Sequence, residues 1–319
     1  MPPVPAATAL RTARGDRLVG PDNPGTPVTG GATGSTVLPG RRVPALLVAA
    51  AAAVGVWLTW RLFVGTSTGR LVDEAAFEGA AFGRNDLWRV AEPVLDVISV
   101  PFIAGVLVAT VLLAVLRRRV LLAVQVAVLM GGANLSTQLL KVFVFDRPPV
   151  GVTDGLPNSL PSGHTAAAAS VACALVLVVP RRARPAVAVL GVLYAAATGV
   201  STLVGRWHRP SDAVAGVLVV LAWAGIASAL GSRDGVVRAT QPRRGVTVAA
   251  GLLIAAGLGS GLLAALALQR VVAAVPAGLD SRAEQLTAYG GGALAVVAVS
   301  CLAFGLLLLV RRSAEPRLT

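Results

Sequence analysis

This chain is short of charge: Asp, Glu, Lys and Arg make up 13% of 319 residues, against 55% hydrophobic residues and a mean hydropathy of +0.76. Soluble domains carry about a quarter charged residues, so the composition excludes a water-soluble globular protein and points to a bilayer. Aromatics are also scarce, at 4%, and the arginines behind the net charge of +13 stand in short clusters between apolar runs. A nucleic-acid surface needs a continuous basic face, so the positive charge is better explained by membrane topology. The two cysteines, Cys173 and Cys301, each lie inside an apolar run, which argues against a disulfide framework or a cysteine-based metal site and leaves both as small buried hydrophobes. The first forty or so residues are rich in Pro, Gly and Thr and hold no apolar stretch. They read as a disordered tail without a cleavable signal, which makes the first span an uncleaved anchor.

What is abundant is apolar sequence in long runs. A crossing helix needs about 20 mostly apolar residues, and eight segments qualify: 43–64, 94–116, 120–140, 163–180, 186–205, 211–231, 246–270 and 289–310. Arginine clusters precede the first of these (Arg41, Arg42) and follow the second (Arg117 to Arg119), fourth (Arg181, Arg182, Arg184), sixth (Arg233, Arg238, Arg243, Arg244) and eighth (Arg311, Arg312). With all eight spans in place every cluster falls on one side, which the positive-inside rule makes the cytoplasm. Both termini are then cytoplasmic, and the segments 141–164 and 206–212 face outward from the plasma membrane. The first outward loop, 65–93, has five acids (Asp73, Glu74, Glu78, Asp86, Glu92) against three arginines (Arg70, Arg84, Arg89). Its apolar-periodic piece from Leu71 to Phe82 is expected to lie along the interface as a short amphipathic helix.

Histidine and lysine are among the rarest residues with chemistry to offer, and both histidines and the single lysine fall into one pattern. Lys141 precedes Arg147-Pro148, His164 ends Pro161-Ser162-Gly163-His164, and His208 stands four residues before Asp212. Lys141 supplies a compact charge and Arg147 a planar fork, both suited to phosphate oxygens. Ser162-Gly163-His164 opens the fourth span, where free backbone N–H groups and the helix dipole favour an anion; Ser162 can cap the helix or donate its hydroxyl, and the Gly163 amide can approach closely. His164 is then placed to protonate a leaving oxygen. With Pro210 at the first helical position, Asp212 falls at the third and can fold back onto His208, fixing its tautomer and leaving the other ring nitrogen free to attack phosphorus.

On these residues the chain resembles the type 2 phosphatidic acid phosphatases, a family related to vanadium-dependent haloperoxidases and bacterial acid phosphatases. The resemblance covers residues 94–231 and implies an all-α, polytopic membrane helix bundle: a six-helix catalytic core (43–231) after a cytoplasmic tail (1–42), then a cytoplasmic linker (232–245), two additional transmembrane helices (246–310) and a short cytoplasmic tail (311–319). It implies that His164 is the general acid, His208 the nucleophile and Asp212 its orienting carboxylate, with no metal or cofactor. Two departures stand out. Five residues separate Lys141 from Arg147 where the family usually has six, and Ser201 is followed by Thr202 where the family has an arginine. Arg206, four residues on and on the same helical face if the fifth span continues, is the expected replacement, with Arg209 second.

The expected function is hydrolysis of a phosphate monoester or diphosphate on a lipid: an isoprenyl diphosphate, phosphatidic acid or phosphatidylglycerol phosphate. The rival readings are a phosphotransferase with an acceptor other than water and a non-catalytic transporter or scaffold that kept the pocket. Gly257, Gly259 and Gly261 equip the seventh span for close helix packing, against the core, a second copy in a homo-oligomer, or another protein.

Overall fold

The computed structural model describes residues 42–96, 100–116, 118–231 and 244–313. The expected N-terminal tail up to Arg41, most of the linker after Gly231, the end of the C-terminal tail, and Arg117, Arg233, Arg238 and Arg243 lie outside the described residues. The elements are α1 (Val43–Thr59), prolonged by a π-turn (Trp60–Val64), α2 (Ser67–Gly79), α3 (Arg84–Asp96), α4 (Val100–Leu116), α5 (Val120–Leu139), prolonged by a π-turn (Leu140–Val144), α6 (Gly163–Val178), α7 (Arg184–Val204), α8 (Pro210–Ala229), α9 (Arg244–Ala274) and α10 (Arg282–Ser313). No strand occurs among the described residues, and the fold is an all-α bundle of the polytopic membrane type.

Six helical segments are long and apolar enough to cross a membrane: Val43–Val64, Val120–Val144, Arg184–Val204, Pro210–Ala229, Arg244–Ala277 and Arg282–Arg312. They coincide with six of the eight expected spans. The other two are helices as well, but α4 has 17 residues and α6 only 16, short of the ~20 that a crossing needs. For α6 the reason is visible. The chain entering it is already buried at Leu160 and Pro161, and Ser162 caps the helix, which fixes its start at Gly163.

The segment 65–93 departs further from expectation. It forms two helices, and α2 is not a one-sided surface helix: Arg70, Val72, Asp73, Ala75, Ala76 and Gly79 are all buried, and α2 packs against α10 and α8. Polar groups turn inward because charged partners wait there, as described below.

Between helices in a lipid phase the driving force is close packing, since lipid tails are as apolar as leucine. The alanine-rich α6, with twelve buried residues, exploits this at the centre. A Cβ on Gly216 of α8 would lie 2.8 Å from the carbonyl oxygen of Ser162; only glycine lets α8 come so near the start of α6. The same core cluster takes in Phe304, Leu307 and Leu308 of α10. Gly292 of α10 abuts Pro210, where an added Cβ would meet the proline ring at 2.4 Å. Thus α10 packs onto α7, α8 and α2, while α9 packs chiefly along α10. Gly257 and Gly261 of α9 face Ala298 of α10, and Gly259 faces open space. Cys173 and Cys301 are buried free thiols.

Candidate active site

Five pieces of chain meet at one end of the bundle: the end of α5, the loop 145–162 with the start of α6, the end of α7, the start of α8, and α2. Lys141 sits in the π-turn that ends α5. Ser162 is the N-cap of α6, its hydroxyl oxygen accepting from the backbone N–H (3.4 Å) and hydroxyl (3.0 Å) of Thr165. It thus serves as the helix cap. The Ser162 N–H donates to the Asp212 carbonyl at 2.8 Å, joining the starts of α6 and α8.

The helix α7 ends in a Schellman motif. The Trp207 N–H reaches back to the Thr202 carbonyl (3.0 Å), the Arg206 N–H to that of Leu203 (2.9 Å), and Arg206 adopts the left-handed conformation, φ +57°, in the place glycine usually takes. Thr202 is fully buried, its hydroxyl donating to the Gly199 carbonyl (2.7 Å). Its carbonyl also receives the His208 N–H at 3.3 Å, so position 202 shapes the turn that carries His208. Pro210 is the first residue of α8. Asp212, in its first turn, accepts from the N–H of Arg209 (3.0 Å) and lies 3.0 Å from Nδ1 of His208. The Asp212 carboxylate is 2% exposed, which denies it water and makes the imidazole its chief partner. His164 stands opposite, its ring centre 6.5 Å from that of His208 and 5.3 Å from that of Trp207.

The cations divide into two groups. Lys141 lies within electrostatic reach of Asp212 and His164. Arg147 feels Arg209, Arg70, Glu74 and Asp212; it donates to the Thr153 hydroxyl, and its buried Nε has no partner among the described residues. Arg206 points elsewhere, to Glu78 at 2.5 Å and over the Phe77 ring at 4.4 Å. The helical phase that matched it to position 202 does not hold, because α7 stops at Val204 and Arg206 is left-handed. Of Arg206 and Arg209, it is Arg209 whose charge reaches Arg147.

The residues that motif reasoning missed are on α2, where one helical stripe serves the whole site. Arg70, 1% exposed, donates to the carbonyls of Val64 (2.8 Å), Val152 (2.9 Å) and Pro148 and to Asp154 (2.9 Å), pinning the loop that bears Arg147. Asp73 accepts the Ser211 hydroxyl (2.5 Å) and N–H (3.2 Å). Glu74 accepts from Nε and Nη2 of Arg209 (2.9 and 2.6 Å). The signal was present: positions 70, 73, 74, 77 and 78 share one face at helical spacing.

Burial, and then the neighbouring Asp212 carboxylate, push the Asp73 carboxyl up to about 7. Since its folded value lies above the unfolded one of about 3.9, Asp73 contributes stability that is complete below about pH 4 and is lost as pH rises to about 7. The melting temperature in detergent is therefore expected to fall across that window more steeply for wild type than for Asp73→Asn; identical slopes would contradict it. Among the described residues no group of three or more His, Cys, Asp or Glu side chains could hold a metal ion.

Residues 122–234 match the family profile described as the PAP2 superfamily. This stretch of the chain is similar to the PAP2 superfamily. No curated protein and no solved structure matches it. The PAP2 match runs from α5 through α8 and contains Lys141, Arg147, Ser162, Gly163, His164, Arg206, His208 and Asp212; α2, α9 and α10 lie outside it. That likeness points to phosphatase-type activity on phosphate esters.

Proposed function

We propose that this chain is a membrane lipid phosphatase that hydrolyses a phosphate monoester or diphosphate of a lipid through a phosphohistidine intermediate. The observation that carries the reading is the buried His208–Asp212 pair at 3.0 Å with His164 across from it. Bonded to Asp212 through Nδ1, His208 presents Nε2 as nucleophile. His164 protonates the departing oxygen as the P–O bond breaks, then takes a proton from the water that releases phosphate from His208. Lys141, Arg147 and the Gly163 amide, aligned by the Ser162 cap, hold the phosphoryl oxygens. Arg209 joins them in preference to Arg206, because it is the one that shares a field with Arg147. The lipid substrate fits an apolar bundle with six membrane-length helices. The arginine clusters at the starts of α5 and α7 lie at the helix ends opposite the site, which supports an extracytoplasmic site and cytoplasmic termini.

The test is release of free phosphate by purified protein, without an added acceptor, from an isoprenyl diphosphate, phosphatidic acid and phosphatidylglycerol phosphate. Release from at least one is expected, with Arg209→Ala losing roughly a hundredfold in kcat/KM and Arg206→Ala less than about threefold, as for an exposed ion pair. Absence of free phosphate from all three sinks the hydrolase reading, and the reverse order of the two arginine variants restores Arg206 to the site.

A further inference from the structure

Three cations and the start of α6 make a site that binds a phosphoryl group well, and a hydrolase must also let phosphate go. Glu74 bears on that problem. One oxygen of its carboxylate, Oε2, takes both Nε and Nη2 of Arg209, the two donors a phosphoryl oxygen would seek, and its charge reaches Arg147. The pair is only partly shielded, with side chains 13% (Arg209) and 25% (Glu74) exposed, so it can open without stranding a charge in a dry interior. Arg209 does not depend on Glu74 alone for its position: its guanidinium lies 4.9 Å over the Phe77 ring, which also carries Arg206 on its face. We propose that Glu74 is a resident competitor for the phosphate site, sharing Arg209 with the phosphoryl group and returning to it as product phosphate leaves. This rests on the phosphatase reading for its purpose, but its binding chemistry can be measured without turnover.

In a His208→Ala background, binding of inorganic phosphate is read from the shift in melting temperature in detergent. Adding Glu74→Gln, nearly isosteric and uncharged, is expected to lower the phosphate dissociation constant roughly three- to tenfold, the range of a partly exposed ion pair. In the active protein the same substitution should lower the inhibition constant for phosphate and KM together, without raising kcat. Unchanged or weaker phosphate binding in Glu74→Gln overturns the proposal and makes Glu74 a holder of Arg209. Should that variant not accumulate, Glu74→Asp replaces it: its shorter carboxylate cannot take both guanidinium nitrogens, so phosphate must still bind more tightly than in His208→Ala alone. A wild type that binds phosphate in this way yet releases none from lipids would fail the phosphatase reading and leave this one standing.

Discussion

His208→Ala is expected to reduce kcat for phosphate release by roughly 10⁴-fold or more, the scale on which removing a nucleophile leaves only binding and electrostatic stabilisation. No other imidazole can substitute. The only other histidine is His164, its ring centre 6.5 Å away and against Trp207. His164→Ala should behave differently, with a loss of about 10²- to 10⁴-fold as for a general acid–base group. A substrate with a good leaving group, which needs no protonation, should recover much of that loss in the first step. The second step still needs a base for water, so His164→Ala should accumulate a phosphoprotein that is labile to acid and absent from His208→Ala. Rapid-quench labelling with radioactive phosphate reads all of this. A His208→Ala enzyme within tenfold of wild type, or one that still becomes labelled, would remove His208 from the nucleophile's role.

The second large effect is structural. Arg70 is almost fully enclosed and donates to three backbone carbonyls and the Asp154 carboxylate, from two stretches of chain over 80 residues apart. Arg70→Met fills similar volume but leaves those carbonyls without their donor, at about 1–3 kcal/mol for a buried acceptor left unpaired. Arg70→Lys should rescue little, because one ammonium cannot reproduce a fork aimed at four acceptors. The loop 145–162 is tied at both ends to the site, so kcat/KM should fall with stability, and a protease should cut near Thr153 faster than in wild type. Asp154 keeps a low pKa chiefly from the backbone N–H groups of Val150 and Gly151, so its local turn should survive and the loop should detach as a unit. An Arg70→Met protein within about 1 kcal/mol of wild type would show that the loop holds itself.

The parts of this site that could be read from the chain were those in which rare chemistry and local geometry coincide. His164, His208 and Lys141 announced themselves by scarcity, and Pro210 fixed where α8 begins and hence where Asp212 points. The α2 partners could not be read that way. Glu78–Arg206, Glu74–Arg209 and Asp73–Ser211 join residues 128 to 138 positions apart, and no local period records such a pairing. The helical phase that pointed to Arg206 does not carry over, because it was extended two residues past a Schellman ending, where the backbone reverses hand. Helix lengths were legible only where lipid-like sequence and helix coincide. In α6 the apolar run continues past Val178, where the helix stops.

The place of α10 in the bundle separates the order of synthesis from the order of assembly. All three motifs leave the ribosome before Gly292, which backs Pro210, and before the stretch of α10 against which α2 packs. A nascent chain ending after α8 thus holds every motif residue but lacks the wall that sets the His208 turn and the brace behind Arg70 and Asp73. On the proposed function the site is complete only once the last helix is in place, so a chain arrested before α10 is expected to release no phosphate.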